Sequence, residues 1–313
     1  MRLGVQEWPD TPDYRAVREP CDRGIIHEYQ MPLDHSDLIL RWGDFVIEEN
    51  GMREQQINAS VDLGGCSMHC GFCASPGKSD FQTLSANDIV HQIAIARENE
   101  QFERTHCPSW SVGFLGEGEN ADDPGALAGA LHEVSTWKNP PRSVLISTTG
   151  KDCVHFMLRM SDTATRFSPG TMKLQVSATS VRPAVRAKAM PDSPPLEFVL
   201  PHAEAFAKKT GTQVKFNFPL MKGKNDSAQD LDGIIALVRR NPWILPKISS
   251  YNSIGKAAYV PASTQELRQF HTQLIDAGID AQLFIADTAK HAMNCGTVTA
   301  LQDSTRTSLN VLP

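Results

Sequence analysis

The chain has 313 residues, 41% apolar and 21% charged, and a net charge of −6. These values describe a soluble globular protein, one large domain or two. The polar N-terminus MRLGVQEWPDTPDYR excludes a secretory signal, and no apolar run approaches the ~20 residues that span a bilayer, so no membrane role is expected. Seven cysteines, an odd count without secretory context, argue against disulfides and for a cytoplasmic location.

Residues 1–36 hold several prolines and no clear period, so they read as irregular. Strand-like stretches follow at 38–41 and 44–48, then a polar link at 50–56. Together residues 1–56 read as a small β extension. Residues 57–63 read as a strand running into a cysteine loop, and from there strand and helix alternate. Ser85 with Asp88 forms a capping-box-like start for a helix carrying Ile89, Val90, Ile93 and Ala96 on one face. Residues 110–116 read as a strand, and Asp123-Pro124 as an N-cap followed by proline in the first helical position. Strands are expected at 144–147 and 172–178, with a helix at 153–160 between them. Residues 196–209 read as a helix that Pro201 must kink or begin. A strand at 214–220 precedes a helix at 227–240, and a strand at 245–251 precedes a helix opened by the capping box Ser263-Thr-Gln-Glu266 and closed by Gly278. Residues 282–285 are the last strand. Such alternation implies a parallel sheet, with active residues gathered at the C-terminal strand ends.

Charge is uneven. Residues 171–260 hold 13 Lys/Arg against 6 Asp/Glu, or +7, which leaves −13 for the remainder. Two readings stand: a basic region that attracts a polyanion, or ordinary solvated faces.

Cys66, Cys70 and Cys73 lie in Cys-Ser-Met-His-Cys-Gly-Phe-Cys. Three thiolates can hold three irons of a [4Fe–4S] cube and leave the fourth iron open for a ligand. A structural zinc site wants four closed ligands, and His69 between two cysteines has poor reach. Ferredoxin-type clusters use four cysteines, and no fourth lies nearby. Phe72 precedes the last cysteine, and glycines lie at Gly64, Gly65 and Gly71. In these residues the chain resembles the radical S-adenosylmethionine (SAM) enzymes. That resemblance implies a partial (β/α)6 radical SAM barrel over residues 57–300 with a C-terminal tail at 301–313, and a [4Fe–4S] cluster and SAM as cofactors.

From about residue 44 to residue 300 the chain is similar to the RlmN/Cfr family of rRNA adenine C-methyltransferases, in short spaced blocks. Gly116-Glu-Gly118-Glu119 is similar to the family's Gly-Met-Gly-Glu-Pro, although Asn120 replaces the proline; the resemblance gives Gly118 and Glu119 the SAM amino group. Ser147-Thr-Thr-Gly150 is similar to a block whose serine contacts SAM. Leu174-Gln175-Val-Ser177-Ala178 stands where the family has Leu-Ser-Leu-His-Ala. Lys222-Gly-Lys-Asn225-Asp226 matches a Gly-x-Asn-Asp block, and Tyr251-Asn252 a pair whose asparagine binds SAM. Asn294-Cys295-Gly296 matches Ala-Cys-Gly, whose cysteine is methylated and then passes its carbon to the adenine. The resemblance thus implies Cys295 as catalytic, with Phe72, Gly118, Glu119, Ser147, Gln175, Ser177 and Asn252 around the cofactor. It further implies RNA or a small heteroaromatic substrate, and a reducing partner such as flavodoxin or ferredoxin.

One departure bears on the chemistry. The family places a second cysteine, which resolves the covalent adduct, seven residues before the first cluster cysteine. Here that residue is Ala59, which cannot act as a base. Cys21 or Cys107 could reach the site from elsewhere, and Asp44 lies near where the family carries a proton-shuttling carboxylate. The expectation is C-methylation of a nucleobase or similar ring carbon through Cys295. The competing expectations are radical chemistry on a small molecule or peptide without methyl transfer, and an iron–sulfur sensor.

Overall fold

The computed structural model describes residues 15–21, 24–32, 39–49, 52–75, 81–98, 107 and 109–285. Four antiparallel strands open the fold: β1 (Arg15–Cys21), β2 (Gly24–Pro32), β3 (Ile39–Glu49) and β4 (Met52–Ala59). Residues 15–32 are therefore a hairpin where the sequence suggested irregular chain. The prolines that obscured it stand near strand ends, at Pro20 and Pro32, where a missing N–H is tolerated. Of the expected link at 50–56, residues 52–56 are likewise strand, the first five of the eight residues of β4.

The two-residue strands β5 (Asp62–Leu63) and β6 (Gln82–Thr83) pair around the cysteine loop. Then come α1 (Ala86–Glu98), β7 (Ser109–Phe114), α2 (Pro124–Ser135), β8 (Ser143–Thr148), α3 (Cys153–Ala164) and β9 (Met172–Ser177). Next are α4 (Pro183–Ala189), α5 (Leu196–Thr210), β10 (Val214–Leu220), α6 (Ala228–Arg240), β11 (Ile244–Ser250), α7 (Thr264–Asp276) and β12 (Gln282–Phe284). The main sheet has ten strands in the order β1-β2-β3-β4-β7-β8-β9-β10-β11-β12, and every pairing from β4 onward is parallel. This is the partial α/β barrel with an N-terminal β extension.

Local chemistry sets the helix boundaries. Asp123 Oδ1 accepts from the Ala126 N–H at 2.8 Å, and Ser227 and Ser263 each close a capping box with Asp230 and Glu266. Helix α5 runs through Pro201, which lies in its second turn and forfeits one hydrogen bond, and it ends at Gly211 in the left-handed conformation at φ 66°. Helix α4 escapes a sequence reading because seven residues show too little periodicity.

Burial alternates strictly along β7, β8 and β10. In β10, Val214, Phe216, Phe218 and Leu220 are buried against the helices while Lys215, Asn217 and Pro219 face the other way. In β9, Met172, Leu174 and Val176 join the same core. One face of the sheet therefore carries the helices and the main apolar core, and the other is polar.

The basic run from 171 to 260 forms no single surface. Arg182 pairs with Asp230, Lys208 with Glu204, Lys209 with Asp162 and Lys222 with Glu266. Arg186 is buried, and Lys173, Lys215 and Lys247 stand on the helix-free face of the sheet.

Candidate active site

The site is built where β4 and β7 end. The two exits are zipped together: the Gly116 N–H donates to the Ala59 carbonyl at 3.1 Å, the Glu117 N–H to Ser60 Oγ at 2.9 Å, and the Val61 N–H to the Glu117 carbonyl at 3.0 Å. Asp62 Oδ2 then accepts from the Glu119 N–H at 3.0 Å. Gly118 passes over Asp62 at φ 111°, and a Cβ there would lie 2.4 Å from Asp62 Oδ2. Burial, chiefly, and the nearby Asp122 push the Asp62 carboxyl up to about 9.

Beyond Asp62–Leu63 the chain turns through Gly64, whose φ of 76° suits glycine, into the cysteine loop. Cys66 and Cys70 are buried and Cys73 partly so; with Met68, Phe72, Ala189 and Met190 they form a second apolar cluster apart from the main core. The Gly71 N–H donates to the Ala189 carbonyl at 2.9 Å, which docks the loop on the end of α4. Lys151 pairs with Asp122, and both bond Ser67 Oγ, Lys151 at 2.9 Å and Asp122 at 2.7 Å, which fixes the loop from the β8 side. His69 points outward, with its N–H at 2.8 Å and Nδ1 at 2.7 Å from Asp192 Oδ2.

Burial pushes all three thiols up, and carboxylates around them add to this: Glu119 near Cys66 and Cys70, Glu117 near Cys73. Without metal the site is a nest of protonated thiols. Metal loading must displace their protons. Three thiols that share one apolar shell, with His69 turned away, fit a cluster that leaves one corner to another ligand, and Asp62 and Asp122 bring carboxylate oxygens to within 4.8 Å of Cys66 Sγ. Cys107 and Cys153 lie elsewhere. Cys107 comes just before the N-terminal end of β7, the opposite end of the sheet, and Cys153 Sγ contacts the Phe198 carbonyl at 3.8 Å.

Around the loop the structure gathers most of the residues expected near the cofactor. Glu119 is buried; Oε1 accepts from Thr148 Oγ1 at 2.5 Å and the Ala121 N–H at 3.2 Å, and Oε2 from the Thr149 N–H at 2.8 Å. Burial raises its carboxyl and these bonds oppose the rise. Ser147 Oγ accepts from Gln175 Nε2 at 3.3 Å, and Gln175 Oε1 accepts from Lys247 Nζ at 3.1 Å, so β8, β9 and β11 are bridged on the helix-free face. Ser177 ends β9 on that face. Tyr251-Asn252 follows β11, and Phe72 meets Tyr251 and Tyr259 edge-on at 6.3 and 6.1 Å. Cys295 lies outside the described residues.

Asn225 staples strand ends: it donates to the Thr179 and Pro219 carbonyls at 2.6 and 2.8 Å and accepts from the Met221 N–H at 2.8 Å. Ala59 is fully buried within the main core. Asp44, expected near a proton-shuttling position, lies on the helix-covered face, where Oδ2 accepts from Gln55 Nε2 at 2.5 Å and Gln55 in turn bonds the Ala96 carbonyl of α1. Strand alternation puts it opposite Ile57, on the core side. It does not reach the site. Cys21 ends β1, three strands from β4 in the sheet order.

Sequence reading missed Arg186 and Lys247. Arg186 is 2% exposed and donates to the carbonyls of Ser177, Ala178, Thr149 and Pro194 at 2.6–3.1 Å. Burial lowers its guanidinium to about 10, so it stays charged at neutral pH. It gathers the ends of β8 and β9 beside Cys70. Nothing in a short helix marks such an arginine. Lys247 was legible only as a charge inside an apolar strand.

No protein-family model matches the chain. It is 26% identical over 223 residues to a probable RNA methyltransferase of Aromatoleum aromaticum, covering 70% of this chain and 58% of the relative. It is 27% identical over 257 residues to a probable dual-specificity RNA methyltransferase RlmN of Moorella thermoacetica, covering 80% and 70%. The chain thus spans little more than half the length of some curated relatives it matches. Among solved structures it superposes on a radical SAM methyltransferase from Sphaerobacter thermophilus with a TM-score of 0.74 at 19% identity, over 91% of this chain and 81% of the other. The chain is thus similar in sequence to RNA methyltransferases, RlmN among them, and shares its fold with a radical SAM methyltransferase.

Proposed function

We propose that the chain is a radical SAM enzyme that holds a [4Fe–4S] cluster through Cys66, Cys70 and Cys73 and C-methylates a nucleobase or similar heteroaromatic carbon through Cys295. The observation that carries this reading is the gathering of two buried thiols and one half-buried thiol in one apolar cluster, with Glu119 and the Ser147–Gln175 pair at the C-terminal strand ends beside it. When bound, the cluster and SAM supply a reductively generated 5′-deoxyadenosyl radical. Glu119 and Asn252 offer polar groups for the SAM amino acid part, the Phe72–Tyr251–Tyr259 trio an aromatic wall, and Cys295 a nucleophile for a sulfonium methyl. RNA methyltransferase relatives support an RNA substrate, and the chemistry calls for a reducing partner such as flavodoxin or ferredoxin.

Ala59 favours a second reading, in which the radical acts directly on a small molecule or peptide. A core alanine takes no proton from an adduct. Anaerobically reconstituted protein incubated with SAM and dithionite separates the two. Methyl transfer predicts 5′-deoxyadenosine and a methyl mass shift that disappears in Cys295→Ala. Deoxyadenosine without that shift supports the second reading. Intact SAM under strong reductant defeats both.

A further inference from the structure

The helix-free face of the sheet carries an ordered set of cations. Lys173 lies on β9, Lys215 on β10 and Lys247 on β11. The register aligns Lys215 with Gln175, and Lys247 with Asn217. Each lysine therefore stands one strand over and two residues further along than the one before. That is a step of about 4.8 Å across and about 6.6 Å up the sheet. The stair climbs toward the C-terminal ends, where the cysteine loop lies.

Lys247 ends the stair at Gln175, its Nζ at 3.1 Å from Oε1 and 4.6 Å from the centre of the Phe284 ring. Burial and the neighbouring Lys173 lower the Lys215 ammonium, so these two charges feel each other. Among the described strand residues that share this face, from β4 and β7 through β12, Glu54 is the one carboxylate. Arg142 engages it at 2.5 Å. The face is thus net positive. Beside Lys247 in the same row, Asn217 Oδ1 and Gln282 Oε1 are buried acceptors with no donor among the described residues. A face with three cations and two waiting acceptors suits a ligand that brings both an anion and hydrogen-bond donors.

We infer that the inner face of the sheet is a substrate subsite in which Lys173, Lys215 and Lys247 hold the phosphate of a phosphorylated, hydroxyl-bearing molecule of nucleotide size, and Asn217 and Gln282 take its donors. This deepens the reading given above by naming the substrate's anionic end, and it rests on that reading for the reacting end alone. The lysines lie along the interior strands, so the phosphate enters the barrel with the substrate rather than staying on an outer surface.

Binding needs no cluster chemistry, so the test uses the full chain without SAM or reductant, titrated calorimetrically with adenosine 5′-monophosphate and with adenosine. The monophosphate should bind at least about tenfold tighter, and the preference should shrink at high salt. Lys215→Gln and Lys247→Gln should each weaken monophosphate binding by about three- to tenfold and leave adenosine binding unchanged, while Lys247→Arg keeps most of it. Thermal melting identifies any variant that fails to fold, and the less buried Lys173→Gln then carries the test. Equal affinities for the two ligands, no binding by folded protein, or unchanged binding in the lysine variants would overturn the inference. So would a single-stranded oligonucleotide that binds regardless of the lysines. Failure of SAM cleavage is a separate outcome that strikes only the activity proposed above.

Discussion

Gly71 and Tyr259 touch: a Cβ on residue 71 would lie 2.4 Å from the tyrosine hydroxyl oxygen and 3.1 Å from its ring carbon. The segment after β11 thus closes onto the cysteine loop at its one residue without a side chain, and Lys256 Nζ adds a bond to the Gly71 carbonyl at 3.2 Å. Gly71→Ala should displace Tyr259, break its edge contact with Phe72 and cost about 1–3 kcal/mol. Iron retained per chain should fall. Adding Tyr259→Phe removes the clashing oxygen and should recover part of the loss; equal iron content in wild type and Gly71→Ala would contradict this packing.

Asp62 supports the turn at Gly118. Gly118→Ala meets both a left-handed φ and a 2.4 Å overlap with Asp62, so it should destabilise by about 2 kcal/mol or more in urea melts. Asp62→Asn should behave differently. The Asp62 carboxyl is raised from 3.8 to about 9, so between those values the folded chain holds a proton that the unfolded chain has released. Its contribution to stability is complete below pH ~4 and declines as pH rises toward ~9. The asparagine should therefore match wild type near pH 4, exceed it near pH 8 and show a shallower decline between them.

Arg186 alone donates to four carbonyls, those of Thr149, Ser177, Ala178 and Pro194, of which Ala178 also accepts from the Ser180 N–H. Arg186→Leu fills similar space and removes the guanidinium donors, leaving only the Ser180 N–H on Ala178. Loss of about 3 kcal/mol or more is expected. Arg186→Lys should recover only part, because one ammonium cannot reproduce a planar fork of five donors. Chemical denaturation of the three proteins tests this, and an Arg186→Leu chain as stable as wild type would show that the carbonyls find other partners.

The thiols divide into two classes. Cys66→Ala, Cys70→Ala and Cys73→Ala should each abolish or severely reduce visible iron–sulfur absorbance, while Cys153→Ala and Cys107→Ala should leave it intact. Because burial raises the three loop thiols, iron loading must release protons, so reconstitution should be poor near pH 6 and improve as pH rises. Proton release measured in weak buffer on loading checks the same point.

Several features were legible before any coordinates. The spacing of Cys66, Cys70 and Cys73 pointed to the proposed cluster loop, since three thiols within eight residues can serve one metal centre, and the structure puts all three in one apolar cluster. Capping chemistry located the starts of α2 and α7 within a residue, because a cap is a local hydrogen bond. Strands such as Val214–Leu220 declared themselves through strict alternation. The hairpin at 15–32 did not, because its strands are defined by pairing partners rather than by their own pattern.

What the sequence determined by itself was the order of the alternating strands and helices from β7 onward, α4 excepted, and the parallel sheet they form, all consequences of near neighbours and periodicity. What only the tertiary structure decided was which face each residue of those elements serves. Ala59 and Asp44 turned to the core and Lys247 to the interior because strand register sends successive side chains to opposite sides. The positive run read along the chain likewise separated into ion pairs, one buried arginine and a lysine stair on the helix-free face, because charges adjacent in sequence are placed by different elements.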